Sequence, residues 1–204
     1  MFSFRQLFRY IASGPKYLNA AVLVFAAGIV MGYAFSDRFD AFLNSQLEGF
    51  RQLKGFIDNQ PHTQWFLFGI VFLNNAIKSV LIVFAGALLA FIPIFFLVGN
   101  GLVIGYLAAL QVKAGQLALL LKGILPHGII EIPAILLASA FGIRLGTIVL
   151  KGLVTMISSP GRGLFREEVR QFLRVTPALI VLLVVSLLVA AVIESTVTPW
   201  LMEL

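Results

Sequence analysis

Between Trp65 and Val112 the chain runs 48 residues with a single charged side chain, Lys78. A bilayer core of about 30 Å needs roughly 20 apolar residues in helix, so this stretch is too long for one crossing and long enough for two. A break at Gly99-Asn100-Gly101 would leave too short a second helix. A break just before Pro93 gives spans of 65–91 and 93–112, with Pro93 in a first turn where its missing N–H is not needed. Similar runs cover 17–36, 123–143 with Glu131 inside, and 175–196, the last free of charge to residue 193. The composition agrees: 60% of the 204 residues are hydrophobic and 12% charged, against about a quarter charged in soluble domains. Soluble globular, disordered and disulfide-stapled secreted classes are excluded. With no cysteine, thiolate chemistry and Cys-based metal sites drop out as well. The expected fold is an all-α polytopic membrane protein of five helices, forming one bundle domain over 1–204, with short interfacial helices.

The first apolar run exceeds the 7–15 residues, roughly, of a signal peptide's core, so it reads as a retained span. With the N-terminus inside, Arg5, Arg9, Lys16, Arg144, Lys151, Arg162, Arg166, Arg170 and Arg174 are cytoplasmic. Arg38, Arg51, Lys54, Lys113 and Lys122 are outside. Nine against five favours N-in, C-out. Glu194 and Glu203 read as an acidic C-terminal end.

Two segments between spans are amphipathic. In the external segment 37–64, Phe39, Phe42, Leu43, Leu47, Phe50, Leu53 and Ile57 recur at helical spacing. This reads as a short helix across the mouth of the bundle, or as a docking surface for an external partner. In the cytoplasmic segment 144–174, Arg144, Thr147, Lys151, Thr155 and Ser158 share one face. After a break at Ser159-Pro160-Gly161, Arg166, Arg170 and Arg174 form an i,i+4 stripe. Helices of this kind lie in the interface with arginines on anionic headgroups, so Arg144, Lys151, Arg166, Arg170 and Arg174 are expected lipid contacts. No nucleic-acid partner is expected of a stripe held against a membrane.

Polar groups at membrane depth each ask for a partner, because an ionised side chain there costs roughly 2.5–3.5 kcal/mol or more. Asn74, Asn75 and Lys78 lie on the second span, Asn100 beside Gly101 on the third, and His127 and Glu131 one turn apart on the fourth. Lys78 and Glu131 are expected to pair, or to share a network with His127 and the asparagines. Gly128 is expected to admit a close neighbouring helix, and Pro126 and Pro133 to interrupt backbone bonding, which is tolerated at depth only where buried or beside a cavity.

The Phe-Leu-Asn-Asn stretch at 72–75, Asn100-Gly101 leading to Gly105, and Pro126-His127-Gly128 followed by Glu131, Ala134, Ala138 and Gly142 resemble the stage II sporulation protein M family. The resemblance implies a multi-pass protein of the bacterial cytoplasmic membrane. In endospore formers such a protein gathers two cell-wall hydrolases, stage II sporulation proteins D and P, during engulfment. Members also occur in organisms that do not sporulate.

An enzyme is not expected. His127 and Glu131 are weak zinc candidates, but a catalytic site wants three protein ligands and His62 lies in the external segment. No cofactor is expected either. The remaining functions are a scaffold that positions partner proteins and, in competition, a small transporter or channel built around Lys78, His127 and Glu131. Small-residue spacings such as Gly28-x-x-x-Gly32, Gly101-x-x-x-Gly105 and Gly142-x-x-x-Gly146 ordinarily serve packing within a chain. The copy on the first span is the candidate for a homodimer.

Overall fold

The computed structural model describes residues 3–58, 63–157 and 162–203, and every regular element among them is helical. The expected break at Ser159-Pro160-Gly161, together with His62 and Ser158, lies outside the described residues, as do the side chains of Phe42, Leu43, Leu47, Phe50, Leu53, Ile57 and Thr155. The helices are α1 (Phe4–Ala12), α2 (Pro15–Ala34), α3 (Ser36–Asp58), α4 (Thr63–Ala85), α5 (Phe91–Lys113), α6 (Leu117–Ile157) and α7 (Arg162–Glu203). Five of them, α2 and α4 to α7, are long and apolar enough to cross a membrane, so the protein is a multi-pass membrane protein.

The chain reverses between α4 and α5 at residues 86–90, somewhat before the expected point. There Leu89 and Ala90 take left-handed φ values of 53° and 66°. Pro93 consequently falls in the first turn of α5, where it packs beside Gly142 of α6. A larger departure concerns the amphipathic segments. Residues 144–157 continue α6 without interruption, and 162–174 are the start of α7. Neither is a separate helix lying flat. No proline lies between Pro133 and the end of α6, and Pro177 is accommodated within α7, so backbone hydrogen bonding carries both helices past the apolar runs.

Two apolar cores result. One gathers Leu7, Tyr10, Val83, Ala134, Ala138, Phe141, Phe172, Leu179 and Leu183 from α1, α4, α6 and α7. The other gathers Ala21, Phe25, Ala90, Leu97, Ile135 and Ala140 from α2, the reverse turn, α5 and α6. Helices α2 and α5 meet through glycine. A Cβ on Gly28 would lie 2.8 Å from the Val98 carbonyl oxygen, one on Gly101 2.5 Å from that of Phe25, and one on Gly105 would overlap the Ile29 carbonyl. Gly28 and Gly32 therefore pack against α5 of the same chain. The homodimer surface expected on the first span is used internally, because Gly101 and Gly105 supply a matching notch on α5.

Helix α3 is long, and it is fastened at its beginning. Tyr106 on α5 donates to Asp40 Oδ1 at 2.5 Å, and Lys113 Nζ meets Asp37 Oδ1 at 2.6 Å. Along the alternating helices, α3, the 114–116 connection and the C-terminus fall at one end of the bundle. Helix α1, the 86–90 turn, and the late part of α6 with the early part of α7 fall at the other.

Candidate functional site

Three spans converge on a polar cluster. Helix α4 brings Asn75, α6 brings His127 and Glu131, and α7 brings Glu194 and Thr198. Asn75 Nδ2 donates to Glu131 Oε1 at 2.9 Å, and Asn74 Nδ2 donates to Asn75 Oδ1 at 3.0 Å. His127 Nδ1 is 3.4 Å from Thr198 Oγ1. One ligand-type atom from each of His127, Glu131 and Glu194 lies within 4.8 Å of the other two, and all three residues are partly buried. The reason they meet is local: 127 and 131 are one turn apart on α6, 194 and 198 one turn apart on α7, and these two helices run antiparallel in extensive contact.

Depth follows from residue count. Asn75 is 12 residues from the start of α4, Glu131 14 from the start of α6, and Glu194 9 from the end of α7. At a rise of 1.5 Å per residue these are depths of about 18, 21 and 14 Å from the same end of the bundle. By residue count the cluster therefore lies well within the spans rather than at their ends.

Glu194 is the residue that sequence reasoning missed. Because it ends the charge-free run it reads in the sequence as part of an acidic C-terminal end, yet α7 continues through Glu203. Thr198 was missed with it. A signal was present: Glu194 and Thr198 repeat the i,i+4 spacing of His127 and Glu131.

Other expected members lie elsewhere. Lys78 is exposed and forms no ion pair among the described residues, so the expected Lys78–Glu131 pairing is not made. It stands one turn beyond Asn74 on a face that α4 leaves open, only 7 residues from the end of that helix. That is about 10 Å, within reach of a headgroup for a lysine that snorkels. Asn100 donates to the Phe96 carbonyl of its own helix at 2.7 Å, and Gly101 packs on α2. Neither belongs to the cluster. Nor does Gly128 admit a neighbouring helix, since a Cβ there would meet only Ile124 and Ile132 of α6 itself. With Ile124, Leu125, Ile129, Ile132 and Pro133 it forms an apolar indentation of about 370 Å³ on the outside of α6.

At the end of the bundle that carries α1, Arg144 and Lys151 serve the fold. The Arg144 guanidinium lies 3.3 Å from the centroid of the Tyr10 ring and donates to the Tyr10 carbonyl at 2.8 Å. Lys151 pairs with Glu168 across α6 and α7 at 2.7 Å. Both were expected to face lipid headgroups. Both instead find partners within the chain, Arg144 on Tyr10 and the half-exposed Lys151 on Glu168, because α6 and α7 extend as a pair past the apolar layer. Tyr10, Tyr17, Arg144, Lys151, Glu168 and Gln171 enclose a polar cleft of about 180 Å³. Burial pushes the Tyr10 phenol up to about 12, against the pull of the Arg144 guanidinium toward the phenolate. Arg166, Arg170 and Arg174 are exposed.

An uncharacterized protein of Methanocaldococcus jannaschii is 30% identical over 129 residues, which is 62% of this chain and 68% of that protein. No solved structure matches. The stage II sporulation protein M family matches over residues 21–199, from the first span through Thr198 and Pro199. That stretch covers most of the chain, reaches into each of the five spans and includes every member of the polar cluster, and the chain belongs to the stage II sporulation protein M family.

Proposed function

We propose that the protein is a membrane scaffold, acting by binding rather than catalysis. In this reading it holds peptidoglycan hydrolases at the outer face of a bacterial cytoplasmic membrane during engulfment or related envelope remodelling. The family supplies the class of partner. The observation that carries the reading is α3, a 23-residue amphipathic helix outside the five spans, tied at Asp37 and Asp40 to α5 and presenting exposed Glu48 and Gln52 further along. A helix latched at one end to a rigid bundle offers a fixed surface to a partner. The excess of basic residues at the end that carries α1 supports an external α3, since positive residues favour the cytoplasmic side.

A photo-crosslinking residue at Gln52, introduced in the host cell, tests this. The expected outcome is an adduct with a cell-wall hydrolase, together with dispersal of that hydrolase when the gene for this protein is deleted. The reading is wrong if hydrolase localisation is unchanged by deletion, or if the purified protein in liposomes moves an ion or solute and adducts at Gln52 contain lipid alone.

A further inference from the structure

We propose that His127, Glu131 and Glu194 bind a divalent cation of the zinc class between α6 and α7, well within the spans. Charge comes first. Two carboxylates share a site about 14–21 Å from the bundle end, and among the described residues no lysine or arginine is paired with either. Two anions in so small a volume of low dielectric cannot both stay ionised without a compensating charge. A divalent ion brings the sum to zero.

The donor types then narrow the ion. One imidazole nitrogen and two carboxylates form a mixed nitrogen and oxygen set of three protein ligands, which zinc accepts with a fourth position left for water. Magnesium and calcium favour oxygen alone. The geometry is nearly assembled. Tetrahedral zinc with bonds of about 2.0–2.2 Å holds its donors about 3.3–3.6 Å apart, and the present donors lie within 4.8 Å of one another. Rotation about the terminal torsions of the two glutamates, which are soft, closes the remaining ångström or so. The surroundings suit ligation too. Thr198 Oγ1 stands 3.4 Å from Nδ1 and steadies the imidazole ring, and Asn75 holds Glu131 Oε1 while leaving Oε2 available. Metal ligands commonly carry outer partners of this kind, which fix ring tautomer and carboxylate orientation.

The site also explains why a histidine and two glutamates occur at this depth on helices that otherwise pack through alanine and leucine. A bound cation would clip α6 to α7 while Asn75 ties α4 to the same centre.

The test uses the full chain purified in detergent, stripped with chelator, reloaded with zinc and desalted. Elemental analysis is expected to find about one zinc per chain. Glu194→Gln and His127→Gln are expected to lose at least four-fifths of it, while His62→Ala keeps it. Cobalt(II) added to stripped protein is expected to give the visible absorption of a four- or five-coordinate site, absent in Glu194→Gln. The cobalt spectrum needs no activity, and elution position in gel filtration shows whether each variant is folded. If wild-type protein retains no zinc above the folded Glu194→Gln variant, the proposal fails and the two glutamates share a proton instead. Retention of manganese with exclusion of zinc would overturn the assignment of the ion. Unfolding of both variants leaves the wild-type cobalt spectrum to decide: octahedral absorption or none refutes the site.

Discussion

Helices α2 and α5 are held together by what their residues lack, whereas α4, α6 and α7 are brought together in part by what theirs carry. At Gly28, Gly32, Gly101 and Gly105 the two backbones approach so closely that no side chain fits between them. Asn100, which flanks Gly101 on that pair, is satisfied by its own helix. Where α4, α6 and α7 meet, Asn75, His127, Glu131, Glu194 and Thr198 point side-chain polar groups at one another across three helices. An apolar interface of glycines tolerates no added volume but has no chemistry to lose. The polar centre tolerates modest changes of volume and is sensitive to every change of donor or charge. In lipid, where apolar burial provides no drive between helices, these are the two available ways of specifying a contact.

The sharpest way to break the contrast is Gly105→Leu, whose Cβ would overlap the Ile29 carbonyl on α2. Overpacking commonly costs about 1–3 kcal/mol and more when the obstacle is backbone. The expected outcome is loss of the monodisperse gel-filtration peak, whereas Gly99→Leu, with nothing within 4 Å of its Cβ, keeps it.

Arg144→Ala comes next, because it removes both the stacking on Tyr10 and the bond to its carbonyl. We expect a loss of about 2–3 kcal/mol, combining a desolvated cation–π contact with a charge-assisted hydrogen bond. It is seen as protease cutting within α1 while α2 to α7 stay protected. Acting on the same contact, pH should release α1 in alkali. The Tyr10 phenol titrates at about 12 in the folded protein against 10 ordinarily. A group whose pKa is raised by folding contributes stability that is complete below about 10 and lost as pH rises through about 12. Tyr10→Phe should remove that step from the alkaline unfolding curve.

Lys151→Ala is expected to cost under about 1 kcal/mol, since both partners of its ion pair with Glu168 are about half exposed. The smallest effect belongs to Lys78→Met. Exposed and without an ion pair among the described residues, Lys78 should be replaceable with a change in thermal midpoint within about 1–2 °C, as for a surface substitution of under about 0.5 kcal/mol. A collapse on Lys78→Met would show that the polar centre extends along α4 beyond Asn75, and would erase the line drawn between it and the rest of the bundle.

Much of this was legible in the sequence, for identifiable reasons. Five apolar runs read as five spans because length and hydropathy are local properties. Asn75, His127 and Glu131 stood out because polar residues in such runs are rare. Glu194 did not stand out, since a charge at the end of an apolar run looks like the end of a span. Arg144 and Lys151 looked like headgroup contacts because their partners, Tyr10 and Glu168, are 134 and 17 residues away.

The sequence by itself determined that the chain crosses a membrane five times and which polar residues it carries to depth, because backbone hydrogen bonds in lipid must be satisfied within each helix. Only the tertiary structure decided the partners. It set Gly28 against Gly101 rather than a second molecule, Arg144 on Tyr10 rather than lipid, and Glu194 rather than Lys78 beside Glu131. Those choices depend on helix rotation and on how far α6 and α7 run, and both are settled by packing between segments far apart in the chain.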